Sequence, residues 1–288
     1  MIKIAILGCE NSHANNFLKY IKDNPSLADV EVVGVYSDEK EPPEKLNTEF
    51  GVPIMADYAD AVGKIDGLII TARHGANHYK YAKPYIESGI PMFIDKPITV
   101  SEDEAITFMK ELKESGVKIT GGSSLKHADL IYTLKENALS ENGGKTVGGC
   151  MRAPLSSDSP YGGFYFYAQH LVEMVCEVFG RYPKSVKAYK NGQKKTVVFR
   201  YDDYDVTGLF TDGMWEYHAI RYAEKDSQGG KVDLASAFDR EFDEFYKLVN
   251  GGEQTISYDD FISPVFIMNA IERSLLSGNE ETVKGFKV

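Results

Sequence analysis

Cysteine is scarce, with only Cys9, Cys150 and Cys176 in a chain of 288 residues. An odd number without close spacing offers neither a disulfide framework nor a zinc knuckle, and it suits a reducing compartment. Long apolar runs are also missing. Stretches such as Ile4 to Leu7 and Leu68 to Ile70 fall far short of the roughly 18 residues a bilayer span requires. The first run meets Gly8 and Glu10 before it can form a signal peptide. Basic charge is not in excess: 43 acidic residues face 32 basic ones, for a net charge of −11, and both halves of the chain are acidic. That balance excludes nucleic acid as a partner. Glycine and proline stand at ordinary levels, without disordered or collagenous bias. The expectation is a folded cytoplasmic protein with no membrane or nucleic-acid partner and, at about 150 residues per domain, two domains.

What is present begins with a β-α-β unit. Residues 2–7 form a strand ending at Gly8; Ala14, Phe17, Leu18 and Ile21 then recur at helical spacing, with Ser12 placed to cap the helix. A second strand runs from Val30 to Tyr36. The alternation continues with strands at Ile65–Thr71, Pro91–Ile94 and Lys118–Gly121. Helices are expected over Asn77–Glu87 and from Ser101, whose capping box includes Glu104, to about Ser115. This predicts an α/β protein with an N-terminal Rossmann domain, a doubly wound parallel sheet, over residues 1–122.

After residue 145 the pattern turns β-rich, with strands at Thr146–Ala153, Ser185–Lys190, Thr196–Tyr201, Val206–Phe210 and Glu216–Tyr222. Asn191-Gly192 and Asp212-Gly213 supply turn signals, the first for a hairpin. Helices at Tyr165–Phe179, Ala235–Val249 and Asp259–Leu276 complete an α+β domain over residues 123–288, built on an open, mainly antiparallel sheet.

The first turn reads Gly8-Cys9-Glu10-Asn11-Ser12-His13. A glycine turn feeding a helix N-terminus is either a phosphate site, because free N–H groups and the helix dipole favour negative charge, or an ordinary β-α connection. Only the first glycine of Gly-x-Gly-x-x-Gly is kept, and Glu10 repels a phosphate unless it turns away or finds a cation. After the second strand, Ser37-Asp38 offers an acid for ribose hydroxyls, and no arginine stands beside it, which favours NAD over NADP.

The run from Asp66 to Ile70 into Thr71-Ala72-Arg73, followed by His78, Glu87-Ser88-Gly89 and Asp95-Lys96-Pro97, resembles the Gfo/Idh/MocA family, named after glucose-fructose oxidoreductase and inositol 2-dehydrogenase. Asp95 stands where the family has glutamate in its Glu-Lys-Pro motif. Further likeness lies in Gly121-Gly122-Ser123-Ser124-Leu125-Lys126, in Thr146 to Arg152, and in Asn250-Gly251-Gly252 through Ile256-Ser257-Tyr258-Asp259-Asp260 to Leu276-Ser277-Gly278. The resemblance covers roughly residues 2–285.

The resemblance implies an NAD(P)-dependent oxidoreductase that moves a hydride between nicotinamide and a secondary hydroxyl of a sugar, cyclitol or related polar metabolite. It implies cofactor contacts from Gly8, Asn11, Ser12, His13, Ser37, Asp38, Thr71, Arg73, His78, Asp95 and Lys96. Lys96 would orient the substrate; His170 would carry the proton; Lys126 and Tyr167 would contact substrate together with His170. The family's segment has an aspartate four residues before that histidine, and here Phe166 takes its place. A homo-oligomer, dimer or tetramer, and no metal are also implied. The alternative is a relative that binds a metabolite or partner in the same cleft without hydride transfer. His13, His74, His78, His127 and His170 are all expected near the carboxyl edge of the sheet, in one cleft. The aromatic run Tyr161 to Tyr167 is expected in the core or along a sugar pocket.

Overall fold

Ile4, Ala5, Ile6 and Leu7 are all buried, so the first strand, β1 (Ile2–Leu7), is covered on both faces, as a central parallel strand must be. In the computed structural model, which describes residues 1–211 and 213–288, β1 pairs in parallel with β2 (Val30–Tyr36) and β3 (Gly67–Ile70). Strands β4 (Met92–Asp95) and β5 (Ile119–Gly122) extend the sheet in the order β2-β1-β3-β4-β5. One parallel bridge, Val35 to Ile54, lies beyond β2. It marks the edge of the sheet, where pairing beyond β2 is reduced to a single pair.

Helix α1 (Ser12–Asp23) follows β1, and its cap is Asn11 rather than the expected Ser12: the Asn11 side chain accepts from the His13 N–H. Gly8 turns the chain at φ 75°, and a Cβ there would meet Ala72 Cα at 2.3 Å. Both the conformation and the close approach therefore require glycine. Helix α2 (Glu41–Phe50) precedes β3 and was not foreseen; its two prolines sit in the first turn, where a missing N–H costs nothing. The helix expected over 77–87 divides into α3 (Ala76–Ala82) and a 3₁₀ segment, Lys83–Ser88, because Pro84 cannot donate to the α ladder. In α4 (Glu102–Glu114) the Ser101 hydroxyl caps the Glu104 N–H at 3.3 Å, as the capping box predicts.

Beyond a 3₁₀ turn at Ser124–His127 come α5 (Asp129–Leu139), β6 (Thr146–Pro154) and α6 (Tyr165–Phe179). Strands β7 (Ser185–Asn191), β8 (Lys194–Arg200), β9 (Asp205–Thr211), β10 (Tyr217–Ala223) and β11 (Ser227–Val232) follow. Helices α7 (Ala237–Val249) and α8 (Tyr258–Ser277) and the short β12 (Glu281–Thr282) end the chain. The second sheet runs β11-β10-β6-β9-β8-β7-β12, antiparallel except between β6 and β9. Strand β11 carries Gly229-Gly230 and little apolar content, so its sequence resembles a loop; only pairing along the β10 edge makes it a strand. Asn191 and Lys194 close the expected hairpin. Asp212 of the other expected turn lies outside the described residues.

Register sorts the faces of this sheet. Ala219, Met151, Gly208, Val197 and Ala188 form one buried row across β10, β6, β9, β8 and β7, beneath α6. The last helices do not stay with this sheet. Phe242 and Phe245 of α7 pack with Ile4, Ile6, Phe17, Ile69 and Phe93, while Phe261, Ile262, Val265 and Phe266 of α8 join Ile70, Ile94 and Phe108. The C-terminal part of the chain thus supplies helices to the N-terminal sheet, and each buried phenylalanine contributes about 2 kcal/mol to holding them there.

Candidate active site

The carboxyl ends of β1, β3 and β4 open into a cleft of ≈ 370 Å³. Asn11, Ser12 and His13 reach it from the first turn, Arg73 and Lys96 from the ends of β3 and β4, and Phe166, Tyr167 and His170 from α6. A second cavity of ≈ 400 Å³ lies along the ends of β1 and β2, with Cys9, Glu10, Glu39 and Lys45 in its wall. Asn11, Ser12 and Arg73 line both. Together the cavities make an extended track at the switch point of the sheet, where open α/β sheets bind ligands.

Lys96 is 4% exposed. Its ammonium lies 4.5 Å from the centre of the Phe166 ring, 5.6 Å from that of Tyr167 and 3.5 Å from the Phe166 carbonyl. Burial lowers its pKa, against Asp95 and Glu241, and Arg73 adds to the lowering. Asp95 is fully buried: Oδ1 accepts from the Lys96 N–H at 2.7 Å and Oδ2 from Asn11 Nδ2 at 3.0 Å. It therefore binds the first turn to the β4 turn. His13 Nδ1 lies 2.9 Å from the same Oδ2.

His170 sits inside α6 with Nδ1 2.7 Å from Ser123 Oγ. The group held against this ring nitrogen is thus a hydroxyl that follows the end of β5. Burial pushes its pKa well below the ordinary histidine value, and the charges of Lys96 and His13 add to this. Four side chains away from the cleft floor, Tyr167, Trp215, Tyr217 and Phe166, continue its aromatic wall: Tyr167 is 5.5 Å from His170 and 5.2 Å from Trp215, centroid to centroid. Tyr161 stacks on Arg73 and accepts from its guanidinium at 2.9 Å.

Glu10 does not lie free in the turn. Its carboxylate accepts from Ser37 Oγ at 2.7 Å and from the Arg73 N–H at 2.9 Å. Ser37 is thereby committed to the turn rather than to the cavity. Asp38 is turned away as well: against the effect of burial, hydrogen bonds from Tyr36 and Tyr81 and the charge of Lys80 hold its carboxyl below the usual range. The acids after β2 that do line the cavity are Glu39, next to Asp38 in the chain, and Glu41.

Several other expected contacts are placed elsewhere. Thr71 Oγ1 donates to the Gly8 carbonyl at 3.0 Å and Gly8 packs on Ala72, so both are framework. His78 is buried between the Ala72 and Ile98 carbonyls, 2.8 and 3.2 Å away, and braces the β3 turn; burial lowers its pKa. Lys126 does not reach the cleft. Its ammonium donates to the Gly121 carbonyl at 2.6 Å and lines a separate cavity of ≈ 310 Å³ with His127, Glu177 and Glu244. Of the five histidines expected in one cleft, only His13 and His170 line it. Tyr161, Phe166 and Tyr167 line the cleft, whereas Phe164 is in the core.

Residues 2–123 match the family described as oxidoreductases with an NAD-binding Rossmann fold, Gfo/Idh/MocA. Through this domain the chain is similar to the Gfo/Idh/MocA oxidoreductases. Oxidoreductase P35 of Formosa agariphila is 22% identical to this chain over 246 residues, 76% of this chain and 74% of that protein. The fold of the whole chain is shared with solved relatives. Myo-inositol 2-dehydrogenase from Lactobacillus plantarum superposes with a TM-score of 0.86 at 14% identity, covering 98% of this chain and 99% of that one. GenD2 from gentamicin A biosynthesis, solved in complex with NAD, superposes with a TM-score of 0.83 at 14% identity, covering 99% and 97%.

Proposed function

We propose that this oxidoreductase is an NAD-dependent dehydrogenase acting on a secondary hydroxyl of a sugar, cyclitol or related polar metabolite. The observation that carries the proposal is the convergence of Lys96 and His170 on a cleft that Asn11, Ser12 and Arg73 make continuous with the cavity at the ends of β1 and β2. The two cavities fit a dinucleotide laid along the sheet edge. Asn11, Ser12 and Arg73 would hold its phosphates and Glu39 its ribose hydroxyls; an acid there, with Glu41 beside it in the wall, favours NAD over NADP. The NAD bound to GenD2 and the inositol substrate named for the Lactobacillus enzyme support the same cofactor and substrate class.

NAD, when bound, supplies the hydride acceptor. Lys96, desolvated against two aromatic rings, orients the substrate hydroxyl. His170, its Nδ1 turned to Ser123, presents the other ring nitrogen for the hydroxyl proton. The rings of Phe166 and Tyr167 exclude water around both. A second reading, binding of a polyol without hydride transfer, is favoured by Glu10, a carboxylate in the turn where the family fingerprint has glycine.

Titration with NAD, NADH, NADP and NADPH, followed by nicotinamide fluorescence, tests the proposal. NADH binding, inositol-dependent NADH formation, and its loss in Lys96→Ala are the expected results. Failure of the folded protein to bind any of the four at millimolar concentration overturns it and leaves the second reading.

A further inference from the structure

The two cavities along the sheet edge differ in charge. Glu10, Glu39 and Glu41 line the one at the ends of β1 and β2. The cleft beside it holds Arg73, Lys96, His13 and His170 in its wall and, among the described residues, no aspartate or glutamate. The acids that act on Lys96, Asp95 and Glu241, are fully buried and do not line the cleft. Asp95 is moreover engaged by the Lys96 N–H and Asn11 Nδ2 rather than by the ammonium.

Both cations keep donors to spare. An ammonium has three, and among the described residues that of Lys96 gives one, to the Phe166 carbonyl at 3.5 Å. Its other neighbours are the rings of Phe166 and Tyr167. The Arg73 guanidinium has five and gives one, to the Tyr161 hydroxyl at 2.9 Å. The rings of Tyr161 and Phe166 are 5.4 Å apart, so the two cations lie against one aromatic pair in the same wall. A charge buried among apolar groups is costly unless a counter-charge is supplied. Burial accordingly acts against the charged form of Lys96, and no described residue of the wall offsets it. Even with Arg73 given to the phosphates of a dinucleotide, Lys96 still lacks its counter-charge. One spare ammonium donor serves the reacting hydroxyl, and another is left for an anionic oxygen beside it.

We propose that the substrate of this cleft is an anionic polyol, a sugar acid or sugar phosphate, whose negative group pairs with Lys96 beside the hydroxyl to be oxidised. This rests on the dehydrogenase reading and narrows its substrate class. A neutral sugar or cyclitol fills the same space but leaves the ammonium uncompensated, so it binds more weakly. Phe166 sets the selectivity. Its ring, 4.5 Å from the ammonium, occupies the place from which a carboxylate of the protein would neutralise Lys96 and remove the need for a charged ligand.

Calorimetry tests this by comparing D-glucuronate and glucose 6-phosphate with D-glucose and myo-inositol, on the free protein and again with saturating NADH. The expected result is that at least one anion binds about tenfold or more tightly than D-glucose, as one charge-assisted bond implies, and that Lys96→Gln abolishes the margin. Phe166→Asp should bring that anion and D-glucose to within about twofold of each other. Which anion shows the margin separates a carboxylate from a phosphate ligand. Equal affinity for charged and neutral polyols, or no binding of any of them, overturns the proposal. So does a margin that survives Lys96→Gln, which places the anion on Arg73 in the dinucleotide track. The wild-type comparison decides even if a variant fails to fold. Because binding is read without turnover, its outcome stands apart from the NADH titration, which alone decides whether the protein is a dehydrogenase.

Discussion

Ser123 Oγ lies 2.7 Å from Nδ1 of His170, both buried, joining the end of β5 to the interior of α6. The contact fixes the ring that faces the cleft. Ser123→Ala is expected to lower kcat for the proposed oxidation by about fivefold, with NADH affinity unchanged, because it removes a hydrogen bond worth about 1 kcal/mol and frees the ring to turn. His170→Asn should cost more, on the order of 10²-fold or beyond. Steady-state kinetics paired with NADH titration of each variant checks both. Equal kcat in Ser123→Ala and wild type would show that the ring is held by its packing alone.

Stability should fall as pH drops below 6.5. Burial lowers the pKa of His78, His127 and His170 from 6.5, so between their folded values and 6.5 the unfolded chain binds more protons than the folded one. Stability then rises with pH in that window and is lost on acidification, by up to about 1.4 kcal/mol per pH unit for each group. Glu241 acts in the opposite sense: its pKa is raised from 4.5, so the folded chain retains a proton that the unfolded chain releases, and this cost grows as pH rises above 4.5. Glu241→Gln should therefore stabilise the protein at pH 8 and change little at pH 4. Urea unfolding across this range measures both trends.

Glu39, not Asp38, should govern cofactor choice. Glu39 lines the cavity while Asp38 is tied to Tyr36 and Lys80. Glu39→Arg is expected to shift the NADH to NADPH affinity ratio towards NADPH by tenfold or more, on the order of one charge-assisted contact. Asp38→Asn should leave that ratio within about twofold. Fluorescence titration of the two variants with both cofactors distinguishes the positions.

Trp215 is the chain's one tryptophan. It is 63% exposed, and its ring packs edge-on against Tyr167 of the cleft wall. Filling the cleft with myo-inositol is expected to shift its emission, and Trp215→Phe removes the signal without unfolding the chain. Unchanged emission at a saturating inositol concentration, established independently by calorimetry, would place the ligand away from Tyr167.

Much of the fold was legible because local pattern and tertiary context agreed. The strand Val30–Tyr36 and the helix Tyr165–Phe179 have the bounds their hydrophobic runs imply, and the Ser101 cap and the Asn191 hairpin follow from turn chemistry. Strand β11 was not legible, since its glycines carry no periodic signal and only the free edge of β10 orders them. That Lys96 and His170 both line the cleft was legible because each sits in a motif that keeps its order along the chain.

The amino-acid sequence by itself determined the β-α alternation, the glycine turn, the change to β-rich texture near residue 145 and the family resemblance. These depend on periods of two and 3.6 residues and on short motifs. Tertiary structure alone decided that Lys126 leaves the cleft for a carbonyl at Gly121, that Glu39 and not Asp38 lines the cavity, and that α7 folds back across the first sheet. That last step brings Glu241 beside His13, 228 residues earlier in the chain. No local pattern encodes such a meeting, because it follows from burying Phe242 and Phe245 against β1 and α1, which carries the adjacent carboxylate of Glu241 into the interior.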